Sequence, residues 1–557
     1  MRAHLVTKLL TLLASVIGAA VVVLLGSGVR PASLLQALRA RPKPETLRWH
    51  IDATKEGTSI SPGIYGVAAA SSGTLRRTGA QVNRWGGNTA SRYNWKINAW
   101  NTGADWFFEN QKVEDGGWEV FLEESLAGGQ RAVITIPLIG YVARDESSWS
   151  FSVEKYGAQS RTDPREPDAG NGLRADAQTP VPNDPTDASM AVGPEFMKQW
   201  IQRITETFPA ALEEGRIIFA LGNEPMLWDR THRDVHPDPV SYQEYLRRFT
   251  AMAKMVRAAA PQAPIAGPEL WGWPALFESA RDRESSGRPD RRAHRNMPFL
   301  PWFLSELRQY EKNHGTRLID IVSVHYYPQA VGVLSGETTQ GAAFSRMQST
   351  RSLYDPDYED PSWIGEEVML IPRVRGWIEE HYPGLKIGIT EYRWGAEDHV
   401  SGAFAVADAI GAFGAHGVDL ACYWQHPPAG SAAESAFAMF TPGGAPEGRF
   451  GSRALPSANS RTGERCSPDG LVRLYAARHA EDPDALSVVA LNGGRRLRRV
   501  RMFFEGCSTL TLQEARRLRS HEPGSEPAPV PVEITGNSAR CILEPTSVYQ
   551  LHFRCEQ

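Results

Sequence analysis

From residue 67 to residue 430 the chain repeats one pattern: a short apolar run, a turn, then a stretch with apolar residues at helical spacing. IIFAL at 217–221 is typical of the runs, and PEFMKQWIQRITETF and YLRRFTAMAKMVRAA are typical of the amphipathic stretches. A strand that is apolar on both faces must be covered on both, and a helix after each strand returns the chain for another parallel strand. Repeated alternation of this kind predicts an α/β architecture, a (β/α)8 barrel over residues 67–464.

The ends of the chain read differently. Residues 465–557 carry short apolar strands (LVRLYAA, ALSVVALN, RVRMFF, SVYQLHF), and residues 49–66 hold an opening strand with Ile51, Ile60, Ile64 and Tyr65. Together they predict a β-sandwich built from both chain ends, so that 557 residues divide into two domains. Residues 157–188 and 428–464, rich in Pro, Gly and Ser, read as long loops over the barrel or between domains.

Arg2 and Lys8 precede an uncharged apolar run from Leu9 to Val29, which reads as a signal peptide or a signal-anchor spanning residues 1–29. The run is long enough to cross a bilayer. No clean small-x-small cleavage motif follows it, which favours a single N-terminal membrane anchor with a linker at 30–48 and the folded part outside the cytoplasm. Five cysteines fit export. Cys422, in DLACYW, reads as a buried thiol, whereas Cys466, Cys507, Cys541 and Cys555 allow up to two disulfides with the pairing open. A net charge of -4 gives no electrostatic reason for a nucleic-acid partner, and nothing points beyond a monomer.

Two glutamates carry the chemistry. Glu224 in IIFALGNEPMLW and Glu391 in LKIGITEYRWG each follow an apolar run at the point where Gly, Asn, Pro or aromatic residues end a strand. In a parallel barrel that is the face on which active sites are assembled. Two carboxyls there, one protonated and one ionised, suit cleavage of an acetal between sugars, which needs no metal or organic cofactor.

The segment 83–110, NRWGGNTASRYNWKINAWNTGADWFFEN, mixes four Trp, one Tyr and two Phe with amides. Sugars offer apolar C–H faces and hydroxyl edges, so flat rings beside Asn, Asp and Arg suit a glycan cleft. Trp85, Asn88 and Trp95 from this segment are candidate substrate contacts, with Trp100 and Trp106 as further platforms. Asn223, His325, Tyr327, Tyr392, Trp394 and Trp424 join them because they flank the predicted strand ends. A neutral His325 there would orient a carboxyl or bind a hydroxyl. Glu109, Asp184 and Asp187 form an oxygen-rich set that would suit a structural calcium ion, although Asp184 and Asp187 equally fit capping of the turn NDPTDAS.

With these segments in view, the chain resembles glycoside hydrolase family 44, the endo-acting β-glucanases and xyloglucanases. The likeness runs through HIDATKEGTSISPGIYGV, RWGGNTASRYNW, KYGAQSRTDPREPDAGNG, NDPTDAS, LGNEPMLW, SVHYYPQ, RSLYDPDYEDPSWI, ITEYRWG and FGAHGVDLACYW. It implies a barrel with a β-sandwich, a β-glucan polysaccharide as partner and retaining cleavage of β-1,4 linkages, with Glu224 as acid/base and Glu391 as nucleophile. Gly222 and Ser323 stand where the family pattern has Asp. Those two departures keep open a carbohydrate-binding protein with impaired turnover, or a glycosidase of other specificity such as a xylanase or mannanase.

Overall fold

The structure, a computed structural model, describes residues 46–114, 116–441, 450–518 and 528–556. The N-terminal apolar run lies outside them, and among the described residues no helix is long and apolar enough to cross a membrane.

Eight parallel strands close a barrel in sequence order: Gly66–Ala68, Val82–Trp85, Arg131–Ile136, Ile217–Leu221, Ile265–Leu270, Ile321–Tyr326, Lys386–Tyr392 and Leu420–Tyr423, the last pairing with the first. The barrel interior is layered. Its lower part is filled by Val82, Val133, Ile218, Ala220, Ala266, Ile321, Leu420 and Cys422. Above this apolar plug, at the C-terminal strand ends, the inward positions change to Arg84, His325 and Glu391, all buried.

Outward positions meet the helices. In helix Pro194–Thr207 the buried residues Met197, Trp200, Ile201 and Ile204 fall on one stripe, and Pro194 starts the helix where no backbone N–H is needed. Helix Tyr242–Ala259 begins with Ser241, whose hydroxyl accepts the N–H of Glu244, and buries Tyr242, Tyr245, Phe249, Met252, Ala253 and Val256.

The second domain is a sandwich of a five-stranded and a seven-stranded sheet. Trp49, Ile51, Val500, Met502 and Phe504 from one sheet pack on Leu474, Val488, Leu551 and Phe553 from the other. Strand Thr46–Asp52 runs parallel to Arg498–Glu505 inside its sheet, so this strand is structurally central. The domain limits shift accordingly. The first strand starts at Thr46, inside the expected linker, and Arg453–Ala454 and Ser457–Asn459, expected in the barrel's last loop, are sandwich strands. Of the four C-terminal cysteines, Cys507 and Cys555 form a disulfide, whereas Cys466 and Cys541 are free and buried, as is Cys422. The second expected disulfide is absent because Cys466 sits under the barrel's Tyr354, with Sγ 3.6 Å from its hydroxyl.

Helix Val400–Ala415, which follows the seventh strand, is buried along nearly its whole length between barrel and sandwich. Gly411 permits this contact, since a Cβ there would lie 2.5 Å from the Tyr475 ring. At the centre Arg473 Nη1 donates to Asp408 Oδ2 (2.9 Å) and the Tyr475 hydroxyl donates to Asp408 Oδ1 (2.8 Å), with both charges fully buried. Removing one member of such a pair strands the other. Asp408→Ala is therefore expected to cost about 3–5 kcal/mol of stability. Urea unfolding measures it, and a loss under about 1 kcal/mol would show that the domain contact does not rest on this pair.

Candidate active site

The seventh strand alternates, with Glu391 facing the barrel axis and Tyr392 facing outward, against Phe413 and Tyr423. Glu224 sits one turn beyond the fourth strand with φ 43°, a left-handed conformation rare outside glycine, and its N–H donates to the carbonyl of Glu269 (3.0 Å). One carboxylate oxygen of Glu224, one of Glu391 and a ring nitrogen of His325 all lie within 4.8 Å of one another.

A dense polar network fixes this pair. Arg84, fully buried at the end of the second strand, donates from Nη1 to Glu391 Oε1 (2.7 Å) and from Nη2 to Glu269 Oε2 (2.9 Å) and Asn223 Oδ1 (3.1 Å). The Tyr327 hydroxyl donates to the other oxygen of Glu391 (2.7 Å). His325 Nδ1 lies 2.8 Å from Glu224 Oε1 and 3.5 Å from Glu391 Oε2, and its Nε2 lies 3.2 Å from Glu269 Oε2. A neutral imidazole has one N–H and cannot donate to two ionised carboxylates, and the three carboxyls around His325 favour the imidazolium over the neutral ring expected from sequence. Burial alone would lower its pKa, but Glu391, Glu224 and Glu269 outweigh that and raise it to about 9.

Burial raises the Glu224 carboxyl above its ordinary value and the Glu391 charge adds to this, against the opposing pull of His325 and Arg84. Glu269 is as buried, yet Arg84 and His325 overcome the desolvation and hold it down at about 2. The two carboxylates therefore differ because of the cations each one touches. Tyr327 is pushed up by burial and by Glu391, so it stays a hydroxyl donor.

The expected contacts divide. Asn88 is in the cleft, its amide nitrogen 3.1 Å from both oxygens of Asp105 and its amide oxygen within 3.5 Å of the Asn223 amide. Trp424 forms part of the floor, its ring 6.0 Å from the Arg84 guanidinium. Gly87, with φ 86°, leaves room for it, because a Cβ there would come within 2.5 Å of the indole. Asn223, His325 and Tyr327 are also in place.

Trp85, Trp95, Tyr392 and Trp394 are not cleft residues. Trp85 points away from the barrel axis and packs on Tyr93, Trp100 and Phe121. Trp95 packs at a tilt against Phe196 and donates its N–H to that residue's carbonyl (3.2 Å). Trp394 is fully buried and donates to Ser349 Oγ (2.9 Å). Of the four tryptophans in 83–110, Trp106 is left 44% exposed, tethered through its N–H to Asp163 (2.7 Å).

Arg84 and Glu269 were not singled out by sequence. Arg84 is the one charge in the short strand VNRW, and Glu269, in IAGPELW, repeats the signature of an apolar run ending in Glu near a Trp.

The calcium set does not fit. Asp187 is taken by Lys155 Nζ and the Tyr156 hydroxyl (2.5 Å each), and Asp184 caps its own turn through the Thr186 N–H (2.9 Å). Glu109 stands apart from them beside Asp163, and burial with that neighbour pushes it up to about 8. The Lys155 ammonium supplies the positive charge expected of a cation.

Residues 99–330 match glycoside hydrolase family 44. Endoglucanase A of Paenibacillus lautus is 29% identical over 467 residues, 79% of this chain, and the chain spans 63% of that relative's length. CelM2, a bifunctional glucanase-xylanase protein from a metagenome library, is 34% identical with a TM-score of 0.85, covering 92% of this chain and 99% of its own. A Paenibacillus polymyxa xyloglucanase from family 44, solved with xyloglucan, has the same fold at 23% identity and a TM-score of 0.74, over 92% of this chain and all of its own. A polar rim of this composition on a barrel joined to a two-ended sandwich, with a relative of this identity along nearly its full length, places the chain in glycoside hydrolase family 44.

Proposed function

We propose that the protein is a retaining, endo-acting glycoside hydrolase of β-1,4-linked glucans. The observation that carries this reading is the approach of Glu224 and Glu391 carboxylate oxygens to within 4.8 Å. Double displacement places the two carboxyls about 5 Å apart, whereas inversion leaves room for a water between them at about 6.5–9.5 Å.

In the first half-reaction Glu224, kept protonated by burial, gives its proton to the glycosidic oxygen as that bond breaks. Glu391 Oε2 or Oε1, ionised and oriented by Arg84 and Tyr327, attacks the anomeric carbon and forms the glycosyl ester. The His325 N–H donates to Glu224 Oε1, which directs the acidic proton to Oε2. In the second half-reaction Glu224, now a carboxylate, takes a proton from water as that water attacks the anomeric carbon and releases Glu391. Trp424, beside Arg84, and the exposed Trp106 are the ring faces offered to sugars.

Gly222 and Ser323 do not argue for a binding protein, because the groups that hold both carboxyls are complete without Asp at those positions. The names of the relatives make soluble cellulose, xyloglucan and xylan the first polymers to test. We also propose export. The apolar run Leu9–Val29 and a disulfide joining Cys507 to Cys555 support an oxidising compartment.

Glu224→Gln and Glu391→Gln are each expected to lower kcat on carboxymethylcellulose and xyloglucan by about 10³-fold or more in a protein that still folds. Reducing-sugar release measures this, and a folded variant with near-wild-type turnover would remove that residue from the mechanism. Proton NMR of fresh digests should show the β-anomer first; an initial α-anomer would overturn retention. Because Glu224 acts as an acid with a raised pKa, kcat/KM should hold at mildly acidic pH and fall as pH rises through it. A profile that instead climbs steadily towards alkaline pH would contradict the acid role of Glu224.

A further inference from the structure

We propose that Glu269 is a positioning residue for the reaction: its buried carboxylate braces Arg84 and His325 from below and balances their charge, so that Glu224 keeps the proton it must donate. This assignment rests on the glycosidase reading given above.

The geometry has three parts. Glu269 Oε2 is shared, accepting from Arg84 Nη2 at 2.9 Å and facing His325 Nε2 at 3.2 Å. The far sides of those same two groups hold the reacting carboxyls, Arg84 Nη1 on Glu391 at 2.7 Å and His325 Nδ1 on Glu224 at 2.8 Å. Glu269 therefore touches neither reacting carboxyl with its side chain, yet a single residue separates it from each, Arg84 on one side and His325 on the other. Its backbone also acts, since its carbonyl accepts the N–H of Glu224 and so helps hold that residue's left-handed turn. Glu269 itself has φ 53° and sits where the fifth strand shifts register against the sixth between Pro268 and Leu270, which turns its side chain into the barrel.

Charge counting gives the reason for its presence. Facing Glu269 are Arg84 from the second strand, His325 and the Ser323 hydroxyl from the sixth, Cys422 from the eighth and Tyr245 from the helix outside. Facing Glu224 are His325, Glu391, Arg84 and Tyr327. Cys422 is pushed up to about 12 and Tyr245 well above its ordinary value, so both are neutral. In direct contact there remain two cations, Arg84 and His325, and three carboxyls; Asp105, also raised by burial, faces Glu391 from farther out and accepts from Asn88. With Glu269 and Glu391 ionised the cluster is neutral, and a further charge on Glu224 would be an uncompensated buried anion. Without Glu269, one cation would be unmatched and would draw the proton off Glu224.

Two measurements on the full chain in mild detergent test this. The first is the imidazole NMR titration of His325, assigned by its loss in His325→Gln. In wild type it should titrate near 9, and in Glu269→Gln the midpoint should fall by about one pH unit or more. The second is the pH profile of kcat/KM on xyloglucan. In Glu269→Gln the alkaline limb should move to lower pH and kcat should fall about 10²-fold, while Glu269→Asp, which keeps the charge at a shorter reach, should leave the limb in place at reduced kcat. An unmoved limb and unmoved His325 titration in Glu269→Gln would overturn the proposal whatever the loss of rate. So would wild-type His325 titrating near its ordinary value, a result available even if Glu269→Gln fails to fold. If wild type cleaves no glucan, the glycosidase reading fails alone, because the His325 titration still decides whether Glu269 holds the cluster's charge.

Discussion

The site depends on burying a guanidinium at the centre of the barrel. Arg84 is fully inaccessible and has to satisfy its charge from within the barrel wall, which it does with Glu391, Glu269 and Asn223. Its fork geometry forces those partners into one plane at defined distances, a constraint that a lysine would not impose. Three strands are thereby tied together at their C-terminal ends, the second, fifth and seventh, and the loop after the fourth joins through Asn223. An unpaired guanidinium there would be costly, so the network is cooperative: each carboxylate is needed by the cation, and the cation by each carboxylate.

That charge layer is possible because of what lies beneath it. Small and branched side chains fill the lower barrel, from Val82 to Cys422, and keep water from the underside of Arg84. Outside, the helix that follows the seventh strand is packed against the sandwich through Asp408, Arg473 and Tyr475. The strand bearing Glu391 is therefore held between two rigid bodies, an apolar plug within and a docked domain behind its helix. Precise placement of a buried carboxylate calls for this sort of support.

Much of this was legible in the sequence, and the misses have a common cause. The run 217–221 is the fourth strand residue for residue, and the strand leading to Glu391 was foreseen, though it continues through Tyr392 because Glu391 and Tyr392 still pair with His325 and Tyr326. Composition marked the aromatic-rich segment but not which ring is exposed and which is packed inside. The period of two along a strand would have decided Trp85 against Arg84 and Tyr392 against Glu391, since neighbours on a strand face opposite ways. Trp394 and Trp95 lie in loops, where facing is set by distant partners such as Ser349 and Phe196. The expected calcium set failed likewise, because Lys155, 32 residues before Asp187 in sequence, supplies the counter-charge.

Ser323 shows how the departures from the family pattern fit this balance. It lies two residues before His325 on the same strand and so faces the barrel interior, where its hydroxyl accepts the Glu269 N–H (3.3 Å). An aspartate at that position would put a fourth carboxyl into a buried cluster whose two cations are already matched by Glu269 and Glu391. It would then have to be protonated, or raise the pKa values of its neighbours, Glu224 included. A neutral hydroxyl at 323 is the side chain that this arrangement accommodates, given that Glu269 supplies the second carboxylate. The same reasoning separates Gly222, whose φ of 81° reflects the turn out of the fourth strand rather than the charge of the site.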